Sequence, residues 1–116
     1  MTKVKKRSKR QEQGIANDLG GRVRPGSGSI ASMKGDVIAG DLLVEAKFTD
    51  KRSFTLSRQV IEKIRREALL GGHDQWALQI DFQDGHKPIR RVAVIDYDFF
   101  LQLLEEKDDN PAPDED

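Results

Sequence analysis

The 116 residues are enough for one domain, their formal net charge is zero, and they include no cysteine. Disulfides and thiolate metal sites are therefore excluded. No apolar run approaches the ~20 residues of a membrane span, and the basic start lacks the apolar stretch of a signal peptide, so we expect a cytoplasmic protein.

The two ends of the chain carry opposite charge. Six of the first ten residues are basic, and the last twelve contain seven acids and one lysine. Such segments bury too little apolar surface to offset the entropy of ordering. We therefore expect a disordered basic arm over residues 1–7, one domain over residues 8–106 and a disordered acidic tail over residues 107–116. The arm suggests binding to a polyanion, although a solubilising tail would have the same composition. Its candidate contacts are Lys5, Lys6 and Arg7.

The first predicted helix begins at Ser8, because Ser8 and Gln11 fit a capping box, and it ends at Gly20-Gly21. Its inward face is predicted to be Ile15, Ala16 and Leu19. The same stripe continued backwards reaches Glu12. A carboxylate on the apolar edge of a helix is costly unless something binds it, which makes Glu12 a candidate site residue.

Residues 22–35 are rich in glycine and serine and are predicted to form a loop. The loop lacks the Gly-Lys-Ser/Thr ending of a phosphate-binding loop, so no nucleotide cofactor is expected. Two strands follow over residues 36–39 and 42–48. Gly40 at the first central position of the connection suits a type II′ hairpin turn.

A second helix is predicted over residues 58–70, capped by Ser57 or Thr55 and ended by Gly71-Gly72. Alternating apolar side chains predict a strand over residues 76–82 and another over residues 89–95. Asp96 can cap a last helix, whose inward-facing residues are predicted to be Phe99, Phe100, Leu103 and Leu104. The order αββαββα predicts an α/β domain with one mixed sheet and flanking helices.

The predicted hairpin pairs Asp36 directly with Glu45, with their Cβ atoms roughly 5 Å apart. Two like charges in this position destabilise a hairpin unless a divalent cation lies between them, and Mg²⁺ or Mn²⁺ prefers carboxylate oxygens. Lys47 shares a face with Glu45, and there its ammonium can orient water or stabilise developing charge. Glu12 is the predicted fourth member. The alternative is a solvated strand face that happens to read Glu-x-Lys.

Glu12, the segment from Arg24 to Ser29, Asp36 and the Glu45-Ala46-Lys47 motif together resemble the PD-(D/E)XK nuclease superfamily. Within it, the pattern is similar to the archaeal-type and phage Holliday junction resolvases, over roughly residues 8–70. The resemblance implies a restriction-endonuclease-like fold and a prokaryotic or phage origin. It maps the four candidate residues onto the catalytic set and the Ala46 carbonyl onto a further metal ligand.

By the same resemblance, Arg24, Ser27 and Ser29 belong to a loop that positions the DNA backbone, and Gln59 corresponds loosely to a family glutamine. Arg58 and Lys63 on the second helix are either phosphate contacts or part of a solvated face.

The expected function is a structure-specific DNA endonuclease that cleaves branched DNA, such as a four-way junction, with water activated by Mg²⁺ or Mn²⁺. We expect a homodimer joined through the later strands and the last helix, because a junction needs two cuts related by a two-fold axis. The alternatives are another nuclease of the same fold, of the nicking, flap or restriction-like kind, or a non-catalytic DNA-binding protein.

Overall fold

The computed structural model of the chain describes residues 3–23, 36–85 and 87–109. Its elements are α1 (Lys3–Leu19), β1 (Arg22–Val23), β2 (Asp36–Ala39), β3 (Leu42–Thr49), α2 (Arg58–Leu70), β4 (Gln75–Asp84), β5 (Lys87–Ile95) and α3 (Tyr97–Asp109). The five strands form one sheet in the order β1-β2-β3-β4-β5, in which β3 and β4 are parallel and the other neighbours antiparallel. The predicted α/β class and single mixed sheet are confirmed.

The predicted element order αββαββα is wrong by one strand. Arg22–Val23, expected in a loop, forms β1 and pairs with Val37 and Ile38 of β2. A two-residue strand is too short to produce a periodic pattern, so the sequence contained no signal for it. The rest of the predicted loop, residues 24–35, lies outside the described residues.

The β2–β3 hairpin has the predicted register, with Asp36 opposite Glu45 and Val37 opposite Val44. Gly40 has a φ of 59°, and no described residue other than glycine has a positive φ, so Asp41 does not. A positive φ at the first central position alone is the requirement of a type II′ turn. The prediction of this turn is confirmed.

Helices cover both faces of the sheet. The cluster under α1 consists of Ile15, Ala16, Val37, Val44 and Ala77. The cluster under α2 consists of Leu43, Ile64, Ala68, Trp76, Leu78 and Ile80. Because side chains alternate along a strand, Glu45 and Lys47 lie on the same face as Leu43, which is the α2 face. Leu19 is 46% exposed, so its predicted inward position is wrong.

The second helix has the predicted bounds, residues 58–70. Of its two candidate caps, Ser57 serves: its hydroxyl accepts a hydrogen bond from the Val60 amide at 3.3 Å. The helix ends at Gly71, whose amide donates to the Glu67 carbonyl. Both signals are local in sequence, which is why both ends were predictable.

The first helix begins at Lys3, five residues before the predicted start, so the disordered arm is wrong for residues 3–7. Ser8 lies inside the helix and does not cap it. Arg7 donates to Asp50 at 2.8 Å and to Gln83, and its guanidinium lies 4.5 Å from the centre of the Phe48 ring. These contacts attach the helix to the sheet through residues far along the chain. Arg7 is therefore part of the folded domain.

The last helix begins where the sequence predicts, with the Asp96 carboxylate accepting from the Asp98 amide at 2.9 Å. The helix runs to Asp109, three residues into the segment expected to be disordered. Its predicted inward face is wrong in large part, because Phe100, Leu103 and Leu104 are 42%, 41% and 44% exposed. The described helices do not include one that could span a membrane.

Candidate functional site

The centre of the candidate site is the Glu-x-Lys motif on β3. Glu45 is only 2% exposed, and its Oε1 lies 3.4 Å from the Nζ of Lys47. Lys47 is less deeply buried, with 25% of its side chain exposed. Burying a carboxylate is costly without compensating charge, and the ammonium supplies part of that compensation. The structure thus brings these two predicted residues into contact.

Asp36 is the first residue of β2, and its Cα pairs with that of Glu45. The side chain of Asp36 lies outside the described part of the structure. Among the described side chains, no three acidic or histidine groups lie close enough together to hold a metal ion. Two of the predicted metal ligands are therefore placed here: Glu45 by its side chain, and Asp36 by its backbone position in the hairpin.

A divalent cation fits what is described of Glu45. A carboxylate has about four lone-pair positions, and the described contacts of Glu45 use one oxygen, through Lys47. The other lone pairs of the Glu45 carboxylate can still bind a cation, and Glu45 is buried directly opposite Asp36 in the hairpin. Hard oxygen ligands of this kind suit Mg²⁺ or Mn²⁺.

Glu12 lies on α1 and is 3% exposed, although it carries a charge. The residue before it, Gln11, donates from Nε2 to the Lys47 carbonyl at 2.5 Å and to Gln79 Oε1 at 2.8 Å. This part of α1 is therefore held against the backbone of β3 at the motif. Gln11, expected to close a capping box, instead connects the helix to the candidate site.

Sequence analysis missed a buried row of polar residues on the α1 face of β4. Gln79, Asp81 and Gln83 are 8%, 4% and 7% exposed. Gln79 Nε2 donates to Asp81 Oδ1 at 2.5 Å, and Arg91 reaches both Asp81 and Asp18. Their alternation with apolar residues predicted a strand with one apolar face and gave no role to these polar residues. No local pattern could have found the row, because it is covered by α1 from a distant part of the chain.

The predicted DNA-binding residues divide into three groups. Arg58, Gln59, Lys63 and Lys6 are exposed. Arg7 is engaged with Asp50 and Gln83 and belongs to α1 instead of a free arm, and its role as a DNA contact stays a prediction. The side chains of Lys5, Arg24, Ser27 and Ser29 lie outside the described residues.

Comparison with known proteins adds no family to this description. No family model, no curated protein and no solved structure matches the chain significantly. The class of the protein is therefore defined by its own geometry. It is a mixed α/β domain whose central strand carries a buried carboxylate with a lysine beside it, and the neighbouring strand carries a second carboxylate at the paired hairpin position.

Proposed function

We propose that the protein is a metal-dependent endonuclease that hydrolyses phosphodiester bonds in branched DNA, such as four-way junctions. One observation carries the proposal: the hairpin register puts Asp36 opposite Glu45, and Lys47 lies 3.4 Å from the Glu45 carboxylate. The buried acid, the second acid and the cation form the minimum set for binding a divalent ion beside a phosphate. The motif resemblance to the PD-(D/E)XK superfamily supports the same function.

The residues have distinct roles in this proposal. Asp36 and Glu45 would hold the ion, with the Ala46 carbonyl as a further ligand. Glu12 lies on α1, which covers the opposite face of the sheet, so its place among the ligands or in the hydration shell stays a prediction. Bound Mg²⁺ or Mn²⁺ supplies a Lewis acid for water and phosphate. Lys47 directs its ammonium towards the charge that develops on the phosphate as water attacks. Its partial exposure leaves room for substrate to approach.

DNA is proposed to lie across the α2 side of the domain. Arg58, Gln59 and Lys63 are exposed on α2, and the sheet face beneath that helix is the face of Glu45 and Lys47. Lys5, Lys6 and the loop residues Arg24, Ser27 and Ser29 complete the proposed contacts. Phosphate contacts of this type position DNA without reading its sequence, which suits recognition by shape.

The test is incubation of a labelled four-way junction, beside linear duplex, flap and single-stranded DNA, with Mg²⁺ and with EDTA. We expect cleavage of the branched substrates with Mg²⁺ and none with EDTA. Cleavage that persists in EDTA contradicts metal dependence. Equal cleavage of linear and branched DNA contradicts the preference for branched substrates but still supports a nuclease that uses this site.

We also propose that α3 joins two copies of the chain in a symmetric dimer. Tyr97, Phe100, Leu101 and Leu104 are 70%, 42%, 41% and 44% exposed, and their spacing of three and four residues forms one helical stripe. A second copy of the same stripe would cover it, in an interface of at least ~1,000 Å². Two active centres would then be available for two strands of a junction.

Sedimentation tests the dimer. The double variant Leu101→Gln with Leu104→Gln should sediment as a monomer at concentrations where the unchanged protein is a dimer. Leu69→Gln with Leu70→Gln is the matched control, because these α2 leucines are equally exposed or more so, at 54% and 82%. The interface is not on α3 if the control dissociates the dimer and the α3 variant does not. An unchanged protein that stays monomeric, also on junction DNA, rules the dimer out.

A further inference from the structure

A groove lies beyond the carboxyl end of β3, the strand that carries Glu45 and Lys47. It has a volume of about 600 Å³, and its walls come from the segment after β3 and from the β4–β5 hairpin. Three cationic side chains line it: Lys51, Arg52 and Arg90. None of the roles proposed above uses these residues.

The cations of the groove are not neutralised within the protein. Lys51, Arg52 and Arg90 are exposed, and within the described residues their side chains form no hydrogen bond or ion pair. Two acids also line the groove. Asp50 is already bound by Arg7 at 2.8 Å, which leaves Asp84 as the opposing charge. The groove therefore has surplus positive charge that a polyanion could neutralise.

The groove also has an apolar surface. Ile89 is 67% exposed and Phe82 is half-buried, and both line the groove beside the three cations. A protein can bind the phosphates of a DNA duplex without any apolar contact. An unpaired strand presents phosphates together with the faces of its bases, and proteins bind such strands with basic grooves that carry aromatic or apolar side chains.

Phe82 of the groove lies on the same face of the sheet as the candidate site. Lys47 pairs with Ile80 in the parallel register, and the next pair on the same face is Thr49 with Phe82. Phe82, which lines the groove, therefore lies one pair beyond Lys47 on this face, and a strand that binds both would follow the direction of β3.

We infer that this groove binds an unpaired nucleic-acid strand, with its phosphates on Lys51, Arg52 and Arg90 and its bases against Phe82 and Ile89. The inference rests on the proposed function only for the route that leads the strand to Lys47. It adds branched DNA with an unpaired arm to the substrates of the proposed function.

Binding is measured by fluorescence anisotropy in EDTA, so that the result does not depend on cleavage. The probes are a labelled oligothymidine and a duplex of the same length. The triple variant Lys51→Gln, Arg52→Gln, Arg90→Gln should lose affinity for the single strand by about tenfold or more. The slope of log affinity against log salt should fall by about 2, because each phosphate contact on a single strand contributes ~0.7. The duplex should be affected much less.

Two further variants make the result specific. Asp84→Asn should tighten single-strand binding, because it removes the remaining acid of the groove. The triple Arg22→Gln, Lys87→Gln, Lys107→Gln is the matched control, since it removes the same charge from exposed residues outside the groove. The proposal is overturned if the control loses as much single-strand affinity as the groove variant, or if the groove variant loses equal affinity for duplex. Melting temperatures of all variants show that each one is folded.

Failure of this proposal and failure of the nuclease proposal are distinguishable. If the protein binds the single strand as expected but cleaves no DNA, the groove proposal is supported and the endonuclease proposal is overturned. If the protein cleaves branched DNA, but the groove variant binds the single strand as tightly as the unchanged protein does, the endonuclease proposal is supported and the groove proposal is overturned.

Discussion

Replacing Glu45 by glutamine should reduce the rate of DNA cleavage by more than about 100-fold, because even partners that only orient metal ligands contribute 10–100-fold. The substitution keeps the shape of a side chain that is 2% exposed but removes the charge that would hold the ion. Binding of DNA in EDTA should change little, since the phosphate contacts of lysine and arginine supply most of the affinity. Single-turnover cleavage and DNA-binding anisotropy in EDTA measure these two effects, and Mn²⁺ titration of the variant measures the loss of ion binding.

The control for this variant is Glu62→Gln, which removes an acid of α2 that pairs with Arg65 at 3.6 Å and is about half exposed. It should cleave at the rate of the unchanged protein. Undiminished cleavage by Glu45→Gln, in a variant whose melting temperature and DNA affinity are retained, would remove Glu45 from the active centre. A loss of both cleavage and Mn²⁺ binding in that folded variant supports the assignment.

Lys47→Met should lower the rate of the chemical step by about 10²–10³-fold, the usual effect of removing one preorganised group that stabilises the transition state. Its effect on the metal should differ from that of Glu45→Gln. The Lys47 ammonium lies 3.4 Å from the Glu45 carboxylate and competes with a cation for it, so Mn²⁺ affinity should stay the same or increase.

This opposite effect on metal binding separates a role in catalysis from a merely structural one. Lys9→Met, on the exposed surface of α1, serves as the control and should leave both quantities unchanged. Lys47→Arg should restore part of the rate, because it restores the charge. If Lys47→Met cleaves at the normal rate while binding Mn²⁺ normally, the lysine only compensates the buried charge of Glu45.

The parts of the fold that could be predicted are those whose signals are local. The register of the β2–β3 hairpin follows from Gly40 at its turn, and the bounds of α2 follow from Ser57 and Gly71. The hairpin register is also what paired Asp36 with Glu45. The central part of the candidate site was therefore predictable without any knowledge of the tertiary structure.

The errors concern residues whose environment depends on distant parts of the chain. The start of α1 was misplaced because Arg7 binds Gln83, 76 residues away. The row Gln79, Asp81, Gln83 looks solvated in isolation and is buried only because α1 covers it. Phe100 on α3 is apolar, as core residues are, but the described residues leave it 42% exposed. In each case tertiary contacts, or their lack, overrode a local pattern.

The distance in sequence between α1 and β4 has a consequence for the order in which the molecule assembles. The polar contacts of α1 reach 68 residues ahead to Gln79 and 76 residues ahead to Gln83. A ribosome makes α1 first and then the apolar surface of β2 and β3 on which it packs, but the polar part of its docking surface exists only after β4 has emerged and paired. Contacts of such long range form late, because loop closure must precede them. The polar contacts between α1 and β4 therefore form at the end of folding, and an incomplete chain that lacks β4 can hold α1 only through its contacts with the earlier strands.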